Sequence, residues 1–221
     1  MNYFISIYGP SKKGRSTLAS TAPGPLMVVD YHGNWNHVEN APPIHTKGKI
    51  DGIGDGLLVP VTKPAGLEGA IDWALANGDQ IGTFVLDNLT RLQQDRLIEL
   101  TGGPQNEPTT DHYRALSSYI GFTLGQLQAL KSKCNVVVVL DEIIRLEEEN
   151  LPNISGRQKQ TILGISNLLG YLKVTDSGKR QLLIADSDTA LVGTNLTPLT
   201  KKHDLAILNP NISTIISEVS K

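Results

Sequence analysis

Apolar positions along the chain gather into short unbroken runs separated by longer stretches with helical spacing. Residues 3–8, 26–30, 81–87 and 136–140 are apolar, largely β-branched runs of buried-strand length. The last is the most apolar, and its run of valines suits a central parallel strand covered on both faces. Residues 57–61 read as an edge strand. Between these runs, residues 64–77 carry Leu67, Ile71, Ala74 and Leu75 on one helical face and close at Asn77-Gly78. Residues 89–100 continue as a helix. Residues 111–131 form a longer one, with Leu116, Ile120, Leu124, Leu127 and Leu130 at spacings of three and four and Asp111 as its amino-terminal cap.

The carboxyl-terminal third is more broken. It reads as a short helix at 161–169, a hairpin of strands 171–175 and 180–185 across Asp176-Ser177-Gly178, and a third strand at 190–192. A short amphipathic helix follows within 209–219, packing back through Ile212, Ile215, Ile216 and Val219. Residues 31–56, 101–110 and 151–160 are polar loops, and Glu147-Glu148-Glu149 is a solvated acidic stretch. The expected class is α/β: a mostly parallel central sheet flanked by helices, with a carboxyl-terminal β-hairpin and short helix.

Bulk properties narrow this picture. A length of 221 residues suits one domain spanning 1–221, and 39% hydrophobic with 19% charged residues is ordinary for a soluble globular chain. No apolar run is long enough to span a bilayer, and the amino terminus opens into strand-like sequence without a secretory pattern, so the expectation is a cytoplasmic protein. The one cysteine, Cys134, excludes an internal disulfide framework and reads as a small buried residue rather than a reactive thiol. A net charge of -2 and a pI near 6.2 give no bulk attraction for nucleic acid, so any such contact needs a local patch.

The most informative stretch is Tyr8-Gly9-Pro10-Ser11-Lys12-Lys13-Gly14-Arg15-Ser16-Thr17, placed between the first strand and a helix start. It fits the phosphate-binding pattern G-x-x-x-x-G-K-[ST] at Gly9, Gly14 and Ser16, and departs from it at Arg15, where the pattern has lysine. Two glycines let the backbone curl so that successive N–H groups face a polyphosphate, and the following helix start presents more of them. Residues 9–17 are therefore the candidate cradle for a polyphosphate. Arg15 keeps the charge but replaces a compact ammonium by a wider planar fork, which favours binding over catalysis. The competing reading is a glycine and lysine turn without a ligand.

A second signal is Val85-Leu86-Asp87-Asn88, an apolar strand ending in an acid. P-loop enzymes hold Mg2+ on such an aspartate opposite the loop hydroxyl, so Ser16 and Asp87 form the candidate metal site, with helix capping as the competing role of Asp87. Asp30 and Asp141 end two further strands, and in an open α/β sheet all three acids emerge on the side of the phosphate loop. Hydrolysis also requires a group that positions water. His32 and Glu142 are the candidates, against plainer roles as a loop residue and a surface acid. Lys12, Lys13, Lys47, Lys49, Arg157, Lys159, Lys201 and Lys202 are available for a nucleic-acid path, with Tyr31, Trp35 and Tyr113 as the aromatics placed to stack bases. His32, His37 and His45 match no tetrahedral zinc spacing.

Taken together, several segments resemble the RecA-like P-loop ATPases encoded mainly by bacteriophages and prophages, some of which serve single-strand annealing and recombination. The likeness is carried by residues 8–19, Thr21-Ala22-Pro23-Gly24-Pro25-Leu26, residues 85–90, residues 136–142, Gly170-Tyr171-Leu172-Lys173-Val174 with Gly178-Lys179-Arg180, and Leu208-Asn209-Pro210-Asn211. It covers most of the chain.

The resemblance implies a RecA-like P-loop NTPase fold, ATP and Mg2+ as cofactors, single-stranded DNA as a partner, assembly into a ring or filament, and a phage-encoded or bacterial cytoplasmic setting. It also exposes departures. The family's loop lysine falls at Arg15, its water-activating glutamate near His32, its polar residue after the central strand at Asp141, and its late basic pair near residues 193–195, where none stands. The expected function is ATP binding with weak or DNA-stimulated hydrolysis in recombination or annealing. The alternatives are a catalytically impaired relative serving as an assembly module, and a small-molecule kinase, which lacks an evident arginine-bearing lid.

Overall fold

Period-two alternation along the buried strands sorts their side chains onto two faces of one sheet, and the helices cover both. The computed structural model describes residues 1–31, 33–45, 50–143, 150–185, 190–203 and 205–220. Its strands are β1 (Phe4–Gly9), β2 (Leu26–Tyr31), β3 (Gly56–Val61), β4 (Thr83–Asp87), β5 (Asn135–Ile143), β6 (Leu151–Pro152), β7 (Leu168–Val174), β8 (Arg180–Leu183), β9 (Gly193–Thr194) and β10 (Ala206–Leu208). The helices are α1 (Arg15–Ala19), α2 (Pro64–Asn77), α3 (Leu89–Thr101), α4 (Thr110–Leu130), α5 (Gln158–Ile165), α6 (Thr197–His203) and α7 (Ile212–Val219).

Strand order is β10-β8-β7-β1-β5-β4-β2-β3, with β6 on β5 and β9 on β7. From β7 to β3 every neighbour is parallel, while β6, β8, β9 and β10 pair antiparallel. The valine run thus lies in mid-sheet, between β1 and β4, as its apolarity predicts.

On one face Phe4, Tyr8, Phe84, Leu86, Val136, Val138 and Leu140 pack under α2, α3 and α4. On the other, Ile5, Ile7, Val28, Val85, Val137 and Val139 pack under α1, α6 and α7. The α7 helix is capped by Asn211, buries Ile212 and Ile215, and ties its first turn to Thr21 just beyond α1.

Several details depart from the sequence reading. The α4 cap is Thr109, whose hydroxyl and the His112 ring close a reciprocal box, whereas Asp111 is exposed and pairs with Arg114. The long segment after β2 contains a 3-10 turn, Asn34–His37, that buries Trp35 completely. The third carboxyl-terminal strand is at residues 193–194 rather than 190–192, and α6 and β10 were not anticipated. Among the described residues, no helix is long and apolar enough to cross a membrane.

Candidate functional site: a cleft at the glycine loop

Strand parity decides which acids face the loop. Asp30, Asp87 and Asp141 each stand two residues beyond Val28, Val85 and Val139, all three of which pack on the α1 face. Register brings Asp30 beside Asp87 and Asp141 beside Gly9. The three acids therefore come out on the phosphate-loop side.

Ser16 donates its hydroxyl to Asp87 Oδ2 at 2.6 Å, and the Trp35 indole N–H donates to the same oxygen at 3.0 Å. Asp30 lies behind, accepting the backbone N–H groups of Asn34 and Trp35, and so fixes the turn that delivers the indole. Burial pushes the Asp87 carboxyl up from 3.8 to about 6, against the pull of the Ser16 and Trp35 donors and the Arg15 charge, with Asp30 adding to the rise.

Arg15 is held at the end of β5. Its guanidinium is buried, donating to the Leu140 carbonyl and, at 2.6 Å, to Asp141 Oδ1. That same carboxylate oxygen accepts from Asn88 at 2.9 Å, and Arg91 stands 3.8 Å from its other oxygen. Arg15, which stands where the glycine-loop pattern has lysine, thus forms an ion pair with Asp141. Asp141 is compensated by a neighbouring guanidinium instead of facing the phosphate site as a bare charge.

These groups enclose a cleft of about 460 Å3. Ser11, Lys12, Gly14, Arg15, Ser16 and Thr17 form one side, Asp87, Asn88, Arg91 and Asp141 the floor, and Gly33, Asn34, His37, Val38 and Arg180 the remaining rim. Gly9, Pro10 and Lys13 are not on its lining. Gly9 is instead pressed against β7, where a Cβ would fall 2.2 Å from the Leu172 carbonyl oxygen, so its glycine is demanded by sheet packing. The α1 helix is only five residues long, so the loop amides and local cations, rather than a helix dipole, carry the attraction for an anion.

The proposed water-positioning groups fare differently. Glu142 has the parity of Val138 and Leu140, so it leaves β5 on the α2–α4 face and accepts the Tyr171 hydroxyl at 2.9 Å. It is not on the lining shared by Ser16 and Asp87, but lines an adjoining pocket with Ser11, Arg91 and Asp141. His32 lies outside the described residues, as do Lys47 and Lys49. Of the aromatics considered for base stacking, Tyr31 and Trp35 are fully buried and are corrected to core residues, while Tyr113 is exposed. Sequence reasoning missed Asn88, Arg91 and Arg180 as cleft residues. Only Asn88 and Arg91 had a local signal, their closeness to Asp87.

The family profile described as AAA domain matches residues 1–195. The chain belongs to the AAA domain family. No curated protein matches it. As an AAA domain with a glycine loop opposite an acidic strand end, it has the architecture of a P-loop ATPase-like nucleotide-binding protein. The remaining residues complete the same sheet through β10 and dock α7 on Thr21.

For the Mg2+ that such domains usually bind with nucleotide, a hydroxyl and a carboxylate oxygen 2.6 Å apart in a buried corner form a suitable hard-oxygen pair. Burial is what raises the Asp87 carboxyl, and a divalent cation bound there would favour its charged form. When bound, the cation would neutralise the charge of the outer phosphates.

Proposed function

We infer that this AAA domain binds ATP with Mg2+ in the cleft between the glycine loop and the ends of β4 and β5, and that it hydrolyses ATP weakly. The observation that carries this reading is the meeting of the Ser16 hydroxyl and the Asp87 carboxylate at 2.6 Å on the cleft floor. In this reading Ser16 and Asp87 hold the metal, and residues 11–17 bind the phosphates through their N–H groups and Lys12.

Weak turnover follows from what the described residues commit elsewhere. Arg15 is tied to Asp141, Glu142 to Tyr171, and the carboxylates on the cleft lining, Asp87 and Asp141, are both hydrogen-bonded. No carboxylate on the lining is left without a donor, and His37 on the rim is the remaining group there that could take a proton from water. Calorimetric titration with ATP, with and without Mg2+, tests the binding. Magnesium-dependent binding that Asp87→Ala abolishes is expected, and no heat under either condition refutes it.

The wider role proposed is in phage-type DNA recombination or single-strand annealing, resting on the resemblance to RecA-like phage proteins. The surface that best suits single-stranded DNA is a groove of about 760 Å3 between α4 and the start of α5, lined by Tyr113, Arg114, Ser117, Arg157 and Lys159. It combines an exposed ring with cations, as strand binding requires. Tyr113→Ala should weaken oligonucleotide binding measured by fluorescence anisotropy, and affinity should fall as salt rises. Assembly into a ring or filament belongs to the same proposal and is read by light scattering with and without ATP. A catalytically silent assembly module is the second reading, favoured by the capture of Arg15 by Asp141.

A further inference from the structure

The cleft has a cation that neither the glycine-loop pattern nor the family match assigns. Arg180 opens β8, directly after the hairpin turn, and its side chain crosses back to the glycine loop. A Cβ added to Gly14 would lie 2.7 Å from Arg180 Nε, 2.8 Å from Cζ and 2.9 Å from Nη2. The guanidinium therefore rests directly against the last glycine of the loop, on the rim of the cleft that Ser16 and Asp87 floor. Its backbone is held in place: Arg180 pairs with Val174 of β7, and its carbonyl accepts the Asn209 N–H at 2.8 Å. The side chain is exposed, and among the described residues the guanidinium has no hydrogen-bond acceptor and no ion-pair partner.

Charge makes this arrangement informative. A nucleoside triphosphate carries more negative charge than one divalent cation offsets, and P-loop sites supply the difference from the loop lysine. Here the residue at that position, Arg15, is spent on Asp141 and the Leu140 carbonyl, and Arg91 also faces Asp141. Lys12 and Arg180 are the cleft-lining cations left uncommitted among the described residues. Lys12 sits at the exposed loop tip with a left-handed backbone, φ +61°, whereas Arg180 comes from the sheet and leans on Gly14.

We propose that Arg180 is a phosphate-binding residue of this site, supplied by the same chain, and that it provides the charge diverted from Arg15. The guanidinium fork suits bidentate hydrogen bonding to phosphate oxygens. The assignment rests on the nucleotide reading above and adds to it the residue that completes the anion site. The demand for glycine at position 14 itself comes from its left-handed φ of +90°.

The test is calorimetric binding of two probes in Mg2+, ATP and tripolyphosphate, to wild type, Arg180→Ala and Arg180→Lys. Because Arg180 has no side-chain partner to lose among the described residues, the melting temperature of ligand-free Arg180→Ala should match that of wild type. Expected is a loss of about tenfold or more in affinity for both probes in Arg180→Ala, with partial recovery in Arg180→Lys. Unchanged affinity in Arg180→Ala overturns the assignment and leaves the nucleotide reading standing. Loss for ATP with none for tripolyphosphate also overturns it, because the contact is then to base or sugar. Wild type that binds neither probe overturns the nucleotide reading, and this assignment falls with it.

Discussion

Replacing Arg15 by lysine should lower the stability of the ligand-free protein while improving its site for a polyphosphate. The guanidinium serves two acceptors at once, the Leu140 carbonyl and Asp141 Oδ1, from a position only 9% exposed. A single ammonium cannot reproduce that fork. A hydrogen bond to a charged group contributes about 1.5–3 kcal/mol, and losing one of the two is softened because Asp141 is 22% exposed and keeps Asn88 at 2.9 Å.

Arg15→Lys should therefore cost about 1–2 kcal/mol, and Arg15→Ala, which leaves the Leu140 carbonyl and Asp141 both short of a donor, about 2–4 kcal/mol. Against a typical total of about 5–15 kcal/mol, urea unfolding resolves either change as a shifted midpoint with an unchanged slope. A double-mutant cycle with Asp141→Asn should return a coupling of about 1–3 kcal/mol. In the same Arg15→Lys protein, affinity for ATP with Mg2+ should rise several-fold, since the freed ammonium can turn to the phosphates. Unchanged stability with coupling under about 0.5 kcal/mol would refute the ion pair as the restraint on Arg15. Lower stability without a gain in affinity would show that the restraint withholds nothing from the nucleotide, which favours the assembly-module reading.

Other consequences are open to direct measurement. The Asp87 carboxyl is raised by burial to about 6, so the stability it contributes to the ligand-free protein is fully present below about pH 4 and lost as pH rises through about 6. Compared with wild type, Asp87→Asn should gain up to about 3 kcal/mol between pH 4 and pH 7, and a pH-independent difference contradicts the assignment. Mg2+ should stabilise wild type and not Asp87→Asn. Trp35, bonded to Asp87, should report ligand binding by fluorescence: the signal should survive Trp73→Phe and vanish in Trp35→Phe, and the reverse pattern would remove Trp35 from the site. Ile215→Ala, emptying a position 2% exposed where α7 meets the sheet, should lower stability by about 2–4 kcal/mol, and a loss below about 0.5 kcal/mol would show that α7 is not docked.

Much of the fold was legible because strand and helix periods are written in adjacent residues. Residues 64–77 were read as a helix to the residue, and the four apolar runs became β1, β2, β4 and β5. The elements that escaped, β6, α6 and β10, are two, seven and three residues long, too short for either period to rise above noise. The side of the sheet on which Glu142 emerges was legible too, since it lies one residue, and so one face, away from Asp141. It still lines the pocket beside the cleft, with Ser11, Arg91 and Asp141.

By itself, then, the sequence determined the α/β alternation, the glycine loop, and the three aspartates at the strand ends, because each depends on neighbours a few positions apart. Only the tertiary structure decided what the charged groups do. The bond from Arg15 to Asp141 spans 126 residues, that from Trp35 to Asp87 spans 52, and Arg180 reaches Gly14 from another strand altogether. No local pattern encodes such pairings. A buried charge takes whichever partner the packed sheet places within reach, since leaving it unpaired costs more than almost any single contact returns.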